Sequence, residues 1–269
     1  MIHFAAFLLY FCAFVLWVIL LFRGARGTGA LLASVLSAAA VLLHALALGE
    51  FWLTHGELPL VGPGAALSSL AFVGGVALAV MLPMREVARV AIALLPVIVL
   101  MQGAALAVGI EPAAASLDFQ GAGFVLHVGL AFLGLQGLAL AFAAGSLYLI
   151  QHHELKEKRL GRIFFFVPSL ATLERVGRIG IWLGFTSLSL ALVVGWAWTV
   201  QHRGSLEISD PKVVWAVVSW LVFLGIFGAR RGRGRTEYRS ALAAVVGFAV
   251  VVGLYLALRI TSGGEGLFL

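Results

Sequence analysis

The chain has 269 residues, of which 62% are hydrophobic and only 11% charged, and its mean hydropathy is +1.08. A water-soluble domain carries about 25% charged residues, so this composition excludes a soluble fold, and its apolar character excludes intrinsic disorder. The single cysteine, Cys12, excludes an internal disulfide and cysteine-based metal or redox motifs. The chain is therefore predicted to be an integral membrane protein.

Apolar stretches without charged residues recur along the chain, and each has the length of about 20 residues that a transmembrane helix needs. We predict an all-α polytopic bundle that forms a single membrane domain over residues 1–269. Its eight predicted spans are 2–22, 27–49, 61–84, 90–110, 121–150, 179–200, 213–229 and 240–260. No basic region precedes the first apolar run, so we interpret that run as a membrane helix and not as a cleavable signal peptide.

The distribution of charge predicts the orientation of these helices. Fifteen of the 18 Lys and Arg residues follow spans 1, 3, 5 and 7. Because Lys and Arg mark the cytoplasmic side, the N-terminus and the C-terminus are both predicted to face outside. The Arg-rich segment 228–239 is interpreted as one of these cytoplasmic loops and not as a nucleic-acid-binding segment.

One cytoplasmic segment is predicted to be more than a linker. Ser169 is expected to cap a short helix over about 168–178. The apolar face of this helix consists of Leu170, Leu173 and Val176. An amphipathic helix of this kind is typical of a membrane surface, so we predict that it lies on the inner leaflet before span 6.

Two histidines lie inside predicted spans, where an ionisable residue is a candidate functional site. They are His44 in span 2 and His127 in span 5, each about 10 Å inside the outer boundary at 1.5 Å per helical residue. The residues sharing their helical faces are Ser37 beside His44, and Gly123, Ala131 and Gly134 beside His127. Small residues either let a neighbouring helix approach closely or leave room for a flat ligand.

Neutral imidazole is a common axial ligand of heme iron, so the two histidines are candidate heme ligands, with a purely structural role as the alternative. Zinc or copper fits less well, because no cysteine, methionine or carboxylate completes a ligand set nearby. Among the other histidines, His152 and His153 are interpreted as solvated residues, and His3 lies at the outer edge of span 1, where a solvated residue is the default interpretation. His55 and His202 remain candidates for ligands at a second site.

The predicted outer loop between spans 6 and 7 is rich in aromatic residues. Four of the seven tryptophans flank it, namely Trp196, Trp198, Trp215 and Trp220. It also contains His202, Asp210 and Lys212. The tryptophans form either an aromatic belt at the membrane interface or a platform for a flat apolar group, with Asp210 and Lys212 fixing polar ends. Their clustering in one loop favours the platform.

Several of these segments resemble a known family. Residues 127–161 are similar to the histidine-bearing helix of the cytochrome c assembly proteins of the CcsA, CcmC and HemX type, and 168–198 and 209–230 continue the resemblance. Residues 41–48, VLLHALAL, are similar to the second helix of a short, eight-helix branch that includes HemX and YpjD. The resemblance implies a heme-handling protein of the bacterial inner (plasma) membrane, whose larger relatives present heme to apocytochrome c at the outer face.

The resemblance also assigns residues. His127 matches the helix histidine of the family, and His44 matches the second-helix histidine of the short branch. The residues that fall on the tryptophan-rich signature are Trp196, Asp210, Pro211, Lys212, Trp215 and Trp220. The chain departs from the signature at Ser209, where the family has tryptophan, and at Val213, where the family often has glutamate.

We therefore expect a heme-binding protein with His44 and His127 as axial ligands and the region 196–220 as the outer, heme-facing platform. Its role would be binding and presentation rather than catalysis. The expected partners are the lipid bilayer, other cytochrome c assembly proteins and apocytochrome c, with no nucleic acid. Two alternatives stay open: a heme-free scaffold or regulator, for example of tetrapyrrole synthesis, and a permease for heme or another amphiphile with Gln102 on its path.

Overall fold

A computed structural model describes residues 1–23, 27–112, 121–158, 161–204, 210–229 and 236–261. The helices are α1 (Ile2–Arg23), α2 (Gly27–His55), α3 (Pro63–Met81), α4 (Ala91–Val108), α5 (Ala122–Lys156), α6 (Arg162–Phe166), α7 (Leu170–Arg203), α8 (Pro211–Ala229) and α9 (Thr236–Thr261). A 3-10 turn, Val87–Val90, leads into α4. Within the described ranges all regular secondary structure is helical.

Eight of these helices are long and apolar enough to cross a membrane, and α6 is a short helix of five residues. This confirms the predicted all-α, eight-span, multi-pass architecture. The outward orientation of both termini stays a prediction. Ser209 and the Arg-rich residues 230–235 lie outside the described residues.

The helices form two groups that α5 joins. In the first group α1 packs against α2 and α4, while α3 packs against α2 and α4, around a core that includes Tyr10 and Trp17. In the second group α5, α7, α8 and α9 pack around Phe223 and Ile226. Because α5 also contacts α3 and α4, it is the element that connects the groups.

The contact between α5 and α7 is the most extensive in the molecule, and glycines make it close. A Cβ added at Gly137 would lie 2.5 Å from the carbonyl oxygen of Gly180 and 2.6 Å from the Cα of Gly184. Small residues let helix backbones touch in this way inside a membrane. The spacing of Gly180 and Gly184, which permits a close helix contact, therefore serves one within the chain.

The predicted interfacial helix over 168–178 is corrected by the structure. This segment is not separate from span 6, because α7 runs without a break from Leu170 to Arg203. The predicted cap is present, since the backbone N–H of Thr172 donates to Ser169 Oγ at 3.3 Å. No proline interrupts the sequence after Ser169, and continuing the helix satisfies its backbone groups near the membrane.

Several helices also extend further than predicted. Four histidines that the sequence predicts in loops lie instead in the last turns of α2, α5 and α7: His55, His152, His153 and His202. A helix continues past the apolar stretch because its backbone hydrogen bonds do not depend on hydrophobic side chains.

The N-terminus of α7 is tied to the loop that follows α3. Glu86 Oε1 accepts hydrogen bonds from the backbone N–H of Ser169 at 2.9 Å and from Thr172 Oγ1 at 3.0 Å. These donors, with Ser169 N–H contributing most, lower the pKa of Glu86 below its usual value, because they favour the ionised carboxylate. An ionised carboxylate here also suits the positive end of the α7 dipole.

We predict that Gly137→Ala lowers the thermal unfolding midpoint in detergent by several degrees, because the new methyl group must push α5 away from α7. Gly129→Ala is the matched control: it lies on the same helix, and nothing stands within 4 Å of its added Cβ. Equal midpoints for the two variants would contradict the close contact. Differential scanning fluorimetry with size-exclusion chromatography measures the comparison.

A second prediction concerns pH. Since the folded pKa of Glu86 is lowered, its stabilising contribution is present above the pKa of the unfolded chain and is lost as pH falls through the folded pKa. The difference in unfolding midpoint between the wild type and Glu86→Gln should therefore be largest near neutral pH and shrink in acid. The effect is small because the carboxylate is solvated. Glu157→Gln, the same substitution at an exposed glutamate outside the contact with Ser169 and Thr172, is the control for the loss of one negative charge.

Candidate functional site

His127 lies on α5 where this helix faces α7. Its Nδ1 donates a hydrogen bond to the backbone carbonyl of Ala191 at 2.8 Å. Gly195 lies directly against the imidazole, because a Cβ added there would overlap Nδ1 and Cε1. The ring is half-buried, and Nε2 has no hydrogen-bond partner among the described residues.

This arrangement determines the chemistry available to His127. With the proton of Nδ1 engaged by a carbonyl, the neutral ring carries its lone pair on Nε2. Histidines that ligate metals are commonly fixed by this second hydrogen bond, which sets both the tautomer and the orientation of the ring. His127 is thus a preoriented nitrogen donor on a membrane helix.

The small residues predicted beside His127 are used for helix packing. A Cβ at Gly123 would lie 3.2 Å from Cδ1 of Trp198, and one at Gly134 would lie 3.1 Å from the Cβ of Leu188. Both neighbours belong to α7. At these positions the packing interpretation is confirmed, so any ligand of His127 must approach from outside the α5–α7 contact.

About one helical turn from His127, aromatic rings of α5 and α7 are in contact. The ring centroid of Trp198 lies 5.4 Å from that of Phe124 and 4.7 Å from that of His202. His202 is exposed, and its Nδ1 donates to the carbonyl oxygen of Trp198 at 2.9 Å. His202 therefore repeats the arrangement of His127, with a carbonyl at Nδ1 and Nε2 directed elsewhere.

The other residues of the predicted platform are placed differently. Trp215 and Trp220 tie α8 to its neighbours, since their indole N–H groups donate to the carbonyl of Val251 at 3.2 Å and to Ser189 Oγ at 2.9 Å. Trp196 is 58% exposed, two residues from Trp198 and hence on another face of α7. Among the predicted tryptophans, Trp198 is the one that packs next to the His127 helix at Gly123.

Asp210 forms a local contact at the start of α8. Its Oδ1 accepts a hydrogen bond from the backbone N–H of Lys212 at 2.8 Å, as in a helix cap. The role of Asp210 and Lys212 in fixing the polar ends of a ligand stays a prediction, and the described contact gives Asp210 a structural role as a helix cap.

His44 lies in a separate cluster among α1, α2 and α3. It is fully buried, and its Nε2 is hydrogen-bonded to Ser68 Oγ at 3.0 Å, which in turn lies 3.3 Å from Nδ1 of His3. The rings of Tyr10 and Phe72 pack at 5.8 and 5.5 Å from His44. Nδ1 of His44 has no partner among the described residues.

Two members of this cluster are absent from the sequence prediction. His3 is half-buried rather than solvated, and Ser68 rather than Ser37 is the partner of His44, because Ser37 bonds to the carbonyl of Ala33 on its own helix. Gln102 joins the cluster, since its Nε2 donates to the carbonyl of His3 at 3.4 Å. The position of His3 near the predicted outer edge of span 1, on the same side of the membrane as His44, is the sequence signal that could have indicated this neighbour of His44.

The structure does not join the two predicted ligands. His44 has neighbours on α1 and α3, whereas His127 has neighbours on α7, and no described contact links the rings. The structure places His127, Trp198 and His202 near one another along the α5–α7 pair, through Gly195, Gly123 and the Trp198–His202 ring contact.

The sequence is similar to known proteins of one family. The family described as cytochrome c assembly protein matches residues 1–264. A cytochrome c biogenesis protein CcsA of Synechococcus elongatus is 39% identical over 93 residues, which cover 35% of this chain and 29% of that protein. The CcsA protein of Guillardia theta is 28% identical over 155 residues, 52% of each chain, and that of Nostoc punctiforme is 37% identical over 93 residues, 35% of this chain and 26% of that protein.

These matched stretches span between about a quarter and a half of the relatives' lengths. The family match, in contrast, extends over nearly the entire sequence. On that ground the chain belongs to the cytochrome c assembly protein family.

Proposed function

We propose that this protein binds heme and handles it during cytochrome c assembly, with Nε2 of His127 as an axial ligand of the iron. One observation carries the proposal: the Nδ1 hydrogen bond to Ala191 at 2.8 Å, which leaves Nε2 as a fixed, unbonded donor. Neutral imidazole held in this way is a common axial ligand. Family membership and the similarity to CcsA proteins support the same role.

The residues around His127 fit such a group. Its ring is held between Ala191 and Gly195 of α7, and Trp198 offers an aromatic surface on the same helix pair. When bound, heme supplies the iron and the macrocycle. The protein supplies the nitrogen ligand, an apolar surrounding and a fixed orientation.

Two histidines, His44 and His202, are candidates for the second axial ligand. His44 does not fit as it stands, because it has no exposed surface and its Nε2 is bonded to Ser68. To serve as a ligand, it would have to use the unpartnered Nδ1 or leave its cluster. His202 needs no such change, since it is exposed and lies two helical turns beyond Gly195 on the same helix.

We further propose that the site lies at the outer face of a bacterial plasma membrane, where heme is presented to apocytochrome c or to other assembly proteins. The support is the predicted orientation, which places the start of α5 and the end of α7 on the outer side. His127 and His202 are near these two helix ends.

The first test is an absorption spectrum of protein purified from heme-replete cells, oxidised and reduced, with heme stoichiometry. The wild type should show a sharp low-spin Soret band, and His127→Ala should lose most of it or become high-spin, because an axial ligand is removed. His153→Ala, at an exposed histidine near the other end of α5, is the matched control and should leave the spectrum unchanged.

Two further variants identify the second ligand. Loss of the low-spin spectrum in His202→Ala, with heme retained in His44→Ala, would establish the α5–α7 site. Loss in His44→Ala, with a folded protein, would instead support the pairing of His44 with His127. An unchanged wild-type-like spectrum in His127→Ala, or heme-free wild type, would overturn the proposal.

A subtler prediction concerns Gly195. Gly195→Ala keeps both ring nitrogens but displaces the imidazole, because the new methyl group would overlap it. The Soret maximum or the reduction potential of bound heme should therefore shift while the protein remains folded. Gly129→Ala provides the control for the glycine-to-alanine change, and equal spectra for the two variants would show that ring placement is unimportant.

A heme-free scaffold or regulator is the second candidate. The observation that favours it is the inward packing of Trp215 and Trp220, which bond to α9 and α7 rather than forming an open shelf. It predicts no stoichiometric heme after heme-replete expression, and the same spectrum distinguishes it from the first candidate.

A further inference from the structure

A small cavity lies between α5, α7 and α9, near the opposite end of α5 from His127. Its volume is about 20 Å³, close to the space that one water molecule needs. The polar residues in its wall come from all three helices: Tyr148 of α5, Glu174 of α7, and Glu237 and Ser240 of α9. This combination of two carboxylates and two hydroxyls is distinct from the histidine sites.

The buried hydroxyl of Ser240 indicates that a polar ligand in the cavity would be favourable. It is only 3% exposed, and its Oγ has no hydrogen-bond partner among the described residues. Leaving a buried hydroxyl without a partner is unfavourable, so a polar group in the cavity would relieve that penalty.

The charged residues in the cavity wall indicate which chemical group the cavity would bind. Ionised glutamates only accept hydrogen bonds, and Ser240 can accept as well. Glu174 faces Arg178 at 3.6 Å, and Glu237 is exposed at the rim. The cavity therefore suits a ligand that donates several hydrogen bonds and carries positive charge.

The size of the cavity selects among cations. Magnesium keeps several of its waters and needs octahedral geometry, for which a space of about one water is too small. A primary ammonium group is the size of a water molecule and has three N–H donors, one each for Glu174, Glu237 and Ser240. A trimethylammonium group is larger and has no N–H donor.

The position of the cavity indicates which molecule would supply the ammonium group. Glu237 and Ser240 lie in the first turns of α9, and Glu174 lies in the second turn of α7. Where transmembrane helices begin, phospholipid headgroups are the neighbours. Arg178 pairs with the cavity residue Glu174 and is 49% exposed, so its guanidinium can also contact a phosphate outside the cavity.

We propose that this cavity binds the primary ammonium group of an aminophospholipid headgroup, with Glu174, Glu237 and Ser240 as its acceptors. Arg178 then contacts the phosphate. The bound lipid would link the ends of α5, α7 and α9 at the membrane surface.

The experiment compares unfolding midpoints of the full chain in nanodiscs of phosphatidylcholine alone or with phosphatidylethanolamine of the same acyl chains. The ethanolamine lipid should raise the wild-type midpoint by several degrees, because binding to the folded state stabilises it. Ser240→Ala and Glu237→Gln should lose most of this rise, and Glu157→Gln, at an exposed glutamate outside the cavity wall, should keep it.

Ser240→Ala separates binding from folding. In phosphatidylcholine it should be at least as stable as the wild type, since it removes the unpartnered hydroxyl. The order of stability should then reverse in phosphatidylethanolamine.

Further conditions in phosphatidylcholine discs identify the ligand. Soluble ethanolamine that reproduces the full rise would overturn the lipid as carrier while supporting the ammonium site. The same rise with sodium or calcium chloride would overturn the ammonium assignment. No rise with phosphatidylethanolamine, or an equal rise in all variants, would overturn the proposal as a whole.

Discussion

The close approach of α5 to α7 is the constraint on which the candidate heme site depends. Gly137 and Gly180 let the two backbones touch, which leaves no room for a side chain between them. Two to three turns along the same contact, this proximity brings Nδ1 of His127 within 2.8 Å of a main-chain carbonyl on α7. A wider spacing would leave the imidazole free to rotate, and the orientation of Nε2 would be lost.

The low polarity of a membrane interior explains where the remaining polar side chains lie. An unpaired polar group is costly there, and several buried side chains find a partner on a neighbouring helix. Gln136 Nε2 donates to the carbonyl of Leu70 at 2.7 Å, and His44 contacts Ser68. Some buried polar atoms of the described residues have no such partner, and two places among them are notable. One is the cluster of His44 with Tyr10 and Gln102, and another is Ser240 at the small cavity. Such residues mark where the fold tolerates a cost, which is typical of functional positions.

Much of the fold follows from composition and spacing, whereas the site follows only in part. The length and hydropathy of each stretch predict the eight spans, and Ser169 is a recognisable helix cap because its hydroxyl acts locally. His127 stands out because a histidine is rare in an apolar helix. Its partner Ala191 does not stand out, because a backbone carbonyl has no residue signature. Likewise, a row of small residues indicates close packing but does not identify the helix that packs there. Whether Trp215 and Trp220 form an outer platform or pack between helices depends on the orientation of α8, which the sequence does not specify.

The two proposed sites lie at opposite ends of one helix pair, and this separation has a consequence. Tyr148 follows His127 by 21 residues on α5, a rise of about 30 Å at 1.5 Å per residue. Changes so far apart without shared partners are expected to act additively. A coupling between the heme spectrum and the lipid-dependent stability would therefore require the rigid α5–α7 contact to transmit it. Its glycines permit this, since touching backbones shift together rather than by side-chain rearrangement. If the two sites are independent, α5 and α7 act as a rigid scaffold. The proposed heme site would then lie at one membrane surface, and the proposed lipid would anchor the helix pair at the other.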